Sequence, residues 1–223
     1  THYWFPELPS FIPALIVIGA LLALNLPSVK NFGEIEFWFA MIKIVAICAL
    51  ILVGIVMVAT SFTTDNGSHA QIANLWEHGG FFPNGVFGFL GAFQIAIFAF
   101  MGSELVGTTA AETQNPTVTL PKAINSVPVR IIIFYVGALL VILMVNPWND
   151  IDPEKSPFVT MFSLAGIAIA AHVVNAVVLT SATSSANSGI FSTSRMVYGL
   201  SQEGYAPKFL GNLSGSGVPR NAL

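Results

Sequence analysis

Residues 44–64 read IVAICALILVGIVMVATSFTT, a stretch of 21 residues without a charged side chain. An α-helix rises about 1.5 Å per residue, so roughly 20 apolar residues cross the ~30 Å hydrocarbon core of a membrane. The stretch therefore predicts a transmembrane helix.

Four further runs also lack charged residues, namely 9–29, 79–103, 131–149 and 156–194. The first three are each long enough for one crossing, whereas the last is too long for a single upright helix. Pro157 and Gly166 indicate a short helix at the membrane surface, followed by one long tilted helix. We therefore predict an all-α, polytopic membrane protein, whose crossings fall at about residues 10–28, 36–62, 84–111, 126–146 and 167–200.

The composition agrees with a membrane location, since 54% of the residues are hydrophobic, 9% are charged and the mean hydropathy is +0.75. A soluble domain averages about 25% charged residues, so this chain has too few to cover a water-exposed surface. The net charge of −3 argues against nucleic acid as a partner. Because Thr1 is not an initiator methionine, we expect the chain to be a fragment whose first helices are missing.

The basic residues predict the orientation of the chain in the membrane. Six of the eight lie in loops on one side of the five crossings, and the positive-inside rule makes that side cytoplasmic. Lys155 lies in an opposite loop, and Lys43 lies within a crossing. The chain is therefore expected to begin outside and to end in the cytoplasm; the six residues are Lys30, Lys122, Arg130, Arg195, Lys208 and Arg220.

Lys43 is an ionisable residue inside a predicted crossing, about 12 Å deep at 1.5 Å per residue. Such residues are costly and mark functional sites by default. One interpretation is that its apolar stem lets the amine reach the cytoplasmic interface. The other is a buried amine that takes and releases a proton during a functional cycle.

The third crossing contains FAFMGSE at residues 98–104, followed by Gly107. Glycines on both sides of Glu104 suggest a local break in the helix, expected at about residues 100–103. Backbone groups at the two half-helix ends could then hold the carboxylate and ammonium of an amino acid. Alternatively, the glycines only let helices pack closely.

Residues 180–194 read TSATSSANSGIFSTS, in which nine of fifteen residues are serine or threonine. The serines recur at three- and four-residue spacing, which predicts one hydroxyl-bearing helix face. In lipid such a face must meet a neighbouring helix, water or a polar ligand. Both helix packing and ligand binding fit this pattern; the serines are Ser181, Ser184, Ser185, Ser188 and Ser192.

No enzyme motif accounts for these residues. Asn187-Ser188-Gly189 is a weak match to the nucleophile turn of an intramembrane serine protease, but no histidine is placed to activate the serine. The sequence has neither phosphate-binding glycine loops nor metal-ligand spacing. We therefore expect no enzyme activity, no metal and no cofactor.

Longer motifs are similar to those of a known transporter family. Several stretches resemble the amino acid permeases of the amino acid–polyamine–organocation superfamily. They are EIEFWFAMIK at 34–43, FAFMGSELVG at 98–107, and the AAE, NP and SRM motifs near 110–116 and 194–196. SATSSANSGIFSTSRM at 181–196 resembles the bacterial branch for D-serine, D-alanine and glycine. The resemblance covers the whole chain.

The resemblance implies a twelve-crossing, inverted-repeat (5+5) fold, of which residues 1–223 would be a partial transmembrane domain with crossings four to eight. It implies that Lys43 stands where sodium-coupled relatives bind their ion, and that Phe98 occupies the place of an aromatic gate. Lys43 and Glu104 are then the predicted proton-coupling residues. The predicted substrate-binding residues are Phe98, Ala99, Phe100, Gly102, Glu104, Ser184, Ser185 and Ser188.

The function implied is proton-coupled import of small neutral amino acids across the cell membrane by alternating access, with D-serine, D-alanine and glycine as expected substrates. The amino acid, the proton and the lipid bilayer are the expected partners. The alternatives are a permease of the same family for other amino acids, or a membrane scaffold or sensor that does not transport.

Overall fold

The computed structural model describes residues 4–5, 7–27, 29–64, 67–102, 107, 113, 115–153, 155–166 and 168–223. The regular structure of these residues is helical, and the one β-type pairing among them is an isolated bridge between Thr63 and His69. The all-α fold predicted from the charge-free runs is therefore confirmed.

Seven α-helices have described bounds: α1 (Phe11–Asn25), α2 (Val29–Ala59), α3 (Gly85–Ala96), α4 (Pro116–Arg130), α5 (Gly137–Val145), α6 (Pro157–Leu164) and α7 (Ala168–Gln202). Short 3₁₀ segments cover Ile72–Leu75, Ile97–Ala99, Trp148–Asp150, Lys208–Gly211 and Arg220–Ala222. A π-helical segment, Ile131–Val136, joins α4 to α5 without a loop.

Two helical stretches among the described residues are long and apolar enough to cross a membrane, Phe32–Ala59 and Pro116–Val145. Their mean hydropathies are 2.9 and 2.5. The second begins ten residues before the span expected at 126–146, because Pro116 at the first turn is pre-organised for a helix start. Helices α1 and α3 are also apolar but shorter, with 15 and 12 residues.

Two prolines lie inside the second stretch, and Pro128 comes shortly before its π-helical segment. A proline inside a helix has no N–H to donate, and its ring displaces the carbonyl four residues earlier. The π-helical segment Ile131–Val136 begins three residues after Pro128. The helix continues to Val145 in spite of two internal prolines.

The chain forms two compact units: unit 1 comprises Thr1–Lys43 and Ala176–Leu223, and unit 2 comprises Ile44–Asn175. Unit 2 has an apolar core that α2, α5 and α6 supply. Leu50, Val145 and Met161 are at most 1% exposed within it. Burying such side chains favours the folded state by about 1.5–3 kcal/mol each in water, and in lipid the same contacts act through close packing.

Gly54 sets how closely α5 approaches α2 in this core. A Cβ at position 54 would overlap the side chain of Val141 and lie 2.5 Å from Met161 Cε. Small residues at helix contacts allow such close approach in membranes. The glycine is therefore required by packing.

Asn74 ties the loop after α2 to the end of α5. Its side-chain amide donates to the carbonyl of His69 at 2.9 Å and to that of Met144 at 2.8 Å. The backbone N–H of Gln71 donates to the same Met144 carbonyl at 3.0 Å. Because Met144 lies in the last turn of α5, its carbonyl has no donor within the helix, and the loop supplies two.

In unit 1, Phe191 holds α7 against α2. Its ring stacks on that of Phe32, with 3.8 Å between centroids and 11° between planes. The guanidinium of Arg195 lies over the Phe191 ring, 3.2 Å from its centroid. Cation–π and stacking contacts of this kind stabilise a helix pair without needing water.

We predict that Gly54→Ala destabilises the protein by about 1–3 kcal/mol, because overpacking forces α5 away from α2. The measurement is the thermal unfolding midpoint in detergent. Gly33→Ala on the same helix is the control, since a Cβ there would meet no atom within 4 Å. Adding Val141→Ala should restore part of the loss, and equal midpoints for the two glycine variants would contradict the packing role.

Candidate functional site

A polar network in unit 1, with two half-buried charged side chains, centres on the buried Ser184 of α7. The Lys43 amine of α2 donates to Ser184 Oγ at 2.7 Å. The Ser184 hydroxyl in turn donates to Glu36 Oε1. Ser184 is 0% exposed, so both charged groups reach the same enclosed oxygen.

Helix periodicity brings the two charges of α2 to this oxygen. Glu36 and Lys43 lie seven residues apart, which is nearly two full turns, so both side chains leave the same side of the helix. Residues three apart on a helix are also neighbours, and this relation joins Ser184 to Asn187 on α7. The geometry of each helix therefore places Glu36 beside Lys43 and Ser184 beside Asn187. The contact between α2 and α7 then brings these two pairs together.

Two asparagines continue the network on the far side of Glu36. Asn187 Nδ2 donates to Glu36 Oε2 at 3.2 Å, and Asn25 Nδ2 of α1 donates to Asn187 Oδ1 at 2.6 Å. Asn25 Nδ2 also donates to the carbonyl of Leu21 at 2.8 Å. Both asparagines are at most 5% exposed. Both oxygens of Glu36 therefore accept hydrogen bonds, as a carboxylate requires.

This arrangement makes two opposite charges tolerable within apolar helices. An isolated charge is expensive to bury, whereas a paired and hydrogen-bonded one is compensated. A single hydroxyl joins the ammonium of Lys43 to the carboxylate of Glu36. Among the described side chains, no enclosed nitrogen or oxygen is left without a partner.

The serines predicted as one face differ in their surroundings. Ser184 and Ser192 are buried and Ser188 is half-buried, whereas Ser185 is exposed and donates to the carbonyl of Ser181 at 3.2 Å on its own helix. Successive helical residues point about 100° apart, so Ser184 and Ser185 cannot both face the network. Around Ser184 the buried face of α7 repeats at positions 184, 187, 191 and 194.

Sequence reasoning missed three members of the network, Glu36, Asn187 and Asn25. The seven-residue spacing of Glu36 and Lys43 was visible in the sequence and indicates a shared helix face. Asn187 stood three residues after Ser184 in the same way. No local signal marks Asn25, because its role depends on α1 packing beside α7.

Of the break predicted at about residues 100–103, residues 100–102 are described and belong to unit 2, and residue 103 lies outside the described residues. Helix α3 ends at Ala96, Ile97–Ala99 form a 3₁₀ turn, and the Phe100 N–H donates to the Ile97 carbonyl at 3.1 Å. Gly102 has φ +92°, a left-handed conformation that only glycine adopts without strain. Helical geometry thus changes from Ile97 onward, somewhat before the expected range of 100–103.

The other substrate residues predicted here have different surroundings. Phe98 and Phe100 are exposed in unit 2. The backbone of Ala99 closes the 3₁₀ turn, and Glu104 lies outside the described residues. No group of three histidine, cysteine, aspartate or glutamate residues converges as metal ligands in the part of the chain that the structure describes.

The amino acid permease family matches residues 1–223 of this chain. The chain belongs to the amino acid permease family. It is accordingly a multi-pass protein of the cell membrane, and the family resemblance of its motifs is confirmed.

Individual relatives match this chain over all of its given residues. It is 61% identical over 222 residues to the D-serine/D-alanine/glycine transporter of Escherichia coli K12. It is 55% identical over 223 residues to the amino-acid permease AapA of Bacillus subtilis, and 44% identical over 222 residues to the aromatic amino acid transport protein AroP of Escherichia coli. These matches cover 100% of the chain and 47–48% of the relatives, so the chain spans about half their length.

We predict that Asn187→Ala destabilises the permease by about 1–3 kcal/mol, because it leaves Glu36 Oε2 and Asn25 without a partner. Thermal unfolding in detergent measures the loss. Ser185→Ala should lie within about 0.5 kcal/mol of the wild type, since Ser185 is exposed.

A double-mutant cycle with Asn25→Ala tests the connection between the two asparagines. Both single variants remove the same hydrogen bond, so the double variant should lose less than the sum of the two. Additive losses would show that the asparagines act independently.

Proposed function

We propose that this permease imports small neutral amino acids across the cell membrane by alternating access, coupled to protons. The observation that carries the coupling is the half-buried Lys43 amine, which is hydrogen-bonded to the buried Ser184 and lies on a helix long and apolar enough to cross a membrane. D-serine, D-alanine and glycine are the proposed substrates. The 61% identical relative with that name supports this choice.

The end of α3 suits the substrate's ammonium. The last carbonyls of a helix lack intrahelical donors and carry the negative end of the helix dipole. Helix α3 ends at Ala96 in the middle of an apolar run, where such carbonyls can meet a zwitterion. Glu104, two residues after Gly102 in the sequence, is the proposed second proton-coupling group, and residues 98–102 are proposed to line the substrate's path.

The proposed pocket favours small side chains. Phe98 and Phe100 supply bulky rings next to the break, so a large substrate side chain would have to displace one of them. Glycine, alanine and serine leave the rings in place. In unit 1, taken by itself, Ser188 is the proposed hydroxyl for bonding a serine substrate, because its side chain is half-buried. Ser184 is already bonded to Lys43 and Glu36, and Ser185 donates to the carbonyl of Ser181 on its own helix.

Lys43 is proposed to couple transport to the proton gradient. Its amine changes protonation as the protein alternates between outward- and inward-facing states, and each protonation state stabilises one of them. The energy of the gradient then shifts the equilibrium between the states, and the substrate accumulates.

We predict that unlabelled glycine, D-alanine and D-serine compete strongly with labelled glycine for uptake, and that phenylalanine and lysine do not. The assay uses the complete protein, expressed from its native gene and reconstituted in proteoliposomes. Strong competition by phenylalanine with D-alanine inert would assign the protein to another substrate branch of the family, beside its 44% identical aromatic relative.

We predict that Lys43→Arg abolishes accumulation driven by a pH gradient while exchange of labelled for unlabelled glycine continues. A guanidinium keeps the positive charge in the network but does not release its proton. With a gradient of one pH unit, a one-proton coupling supports about tenfold accumulation, which should fall to about onefold.

Lys155→Ala is the matched control, because the Lys155 side chain is 72% exposed and pairs only locally with Asp152 at 3.2 Å. It should accumulate glycine like the wild type. If Lys43→Arg also keeps its gradient-driven accumulation, Lys43 is an interfacial cation without a part in coupling.

A further inference from the structure

We propose that Glu36 is the proton-exchange partner of Lys43, and that the hydroxyl of Ser184 relays the proton between them. The inference rests on the proposed proton coupling and names the second group of the same mechanism. It follows from the order of donors and acceptors in the network. A role for Lys43 alone would not explain why its hydrogen bond continues through Ser184 to a carboxylate.

The hydrogen bonds form a directed chain. The Lys43 amine donates to Ser184 Oγ, and the hydrogen of Ser184 is donated onward to Glu36 Oε1. A hydroxyl has one hydrogen to donate and two lone pairs to accept with, so Ser184 can pass on a proton as it receives one. An ammonium, a hydroxyl and a carboxylate in this order are the components of a proton relay.

The transfer balances without any further reactant. A Lys43 N–H bond breaks and leaves its electron pair on nitrogen, while the proton forms a new bond to Ser184 Oγ. The original O–H bond of Ser184 breaks, and its proton bonds to Glu36 Oε1. The products are a neutral amine, an unchanged serine and a neutral carboxylic acid, whose hydrogen bonds run in the opposite direction.

Asn187 is a positioning residue for this step. It donates to Glu36 Oε2 at 3.2 Å, which leaves Oε1 as the oxygen that receives the proton. Asn25 fixes the orientation of the Asn187 amide by donating to its oxygen at 2.6 Å. If the amide of Asn187 turned over, two N–H groups would face each other. The carboxylate therefore meets the relay with one defined oxygen.

The other ionisable groups on α1, α2 and α7 that the structure describes in unit 1 do not contact Ser184, so Lys43 and Glu36 are the groups that the relay connects. Helix α1 carries no ionisable residue, and α7 within unit 1 contributes Arg195 and Tyr198. Arg195 lies over Phe191 and donates to its carbonyl at 3.1 Å, about 16 Å along α7 from Ser184. On α2, Glu34 is exposed, and the side chain of Lys30 is outside the described ones.

Two variants of the complete, reconstituted protein test the relay. Glu36→Gln keeps the shape of the side chain but cannot take up a proton at neutral pH, and Ser184→Ala removes the linking oxygen. Each is scored by gradient-driven glycine accumulation and, separately, by glycine exchange at equal pH. We expect accumulation to fall from about tenfold to about onefold for one pH unit, with exchange retained.

Exposed residues on the same two helices supply the controls. Glu34→Gln lies two residues from Glu36 on an exposed part of the same helix, and Thr193→Ala removes an exposed hydroxyl on α7, the helix that carries Ser184. Both should accumulate glycine like the wild type. A fluorescent pH indicator inside the vesicles should report proton entry with glycine for the wild type and both controls, and none for the relay variants.

The outcomes separate this inference from the function on which it rests. A wild type that does not respond to the gradient would refute the proposed coupling itself. A coupled wild type with uncoupled Lys43→Arg, but fully coupled Glu36→Gln and Ser184→Ala, would overturn the relay alone. Loss of glycine binding in both relay variants would make the network structural and would also overturn it.

Discussion

The hydroxyl of Ser184 stands between an ammonium and a carboxylate, and the architecture of unit 1 depends on it. Glu36 and Lys43 are half-buried, and removing either one would leave the other without its partner among apolar helices, which costs stability. The contact also fixes the register of α2 against α7, because Glu36 and Lys43 lie nearly two turns apart on α2 and both bond to Ser184 of α7. The same hydrogen bonds therefore set how the two helices pack and which polar groups meet.

The two units use different means of packing. In unit 1, directional hydrogen bonds among α1, α2 and α7 select one arrangement, since each donor needs an acceptor at a defined place. In unit 2, Gly54 lets α5 approach α2 closely, and apolar side chains fill the contact. Lipid offers no hydrophobic force between helices, so shape and hydrogen bonding must supply the specificity. Helix α2 takes part in both kinds of packing, with Glu36 and Lys43 in the hydrogen bonds of unit 1 and Gly54 in the apolar contact of unit 2.

The end of α3 shows that a signal in the sequence and the matching structural feature can lie several residues apart. Gly102 marks the break in the sequence, and its positive φ shows why a glycine is needed there. The α-helical ladder nevertheless ends at Ala96, because the turn tightens to a 3₁₀ form before the glycine is reached. A glycine thus indicates that a helix ends nearby, while the hydrogen bonds decide at which residue.

Composition and the charge-free runs determined the fold class, because apolar stretches of about 20 residues have few stable arrangements other than membrane helices. The longer motifs determined the family, and the depth of Lys43 in its run marked it as a candidate. Only the tertiary structure selected its partners. Glu36 and Asn187 carried visible helical spacings, yet many residues share such spacings, and Asn25 carried none. Which polar groups meet depends on the rotation and register of one helix against another, and these are set by contacts between residues up to 162 positions apart.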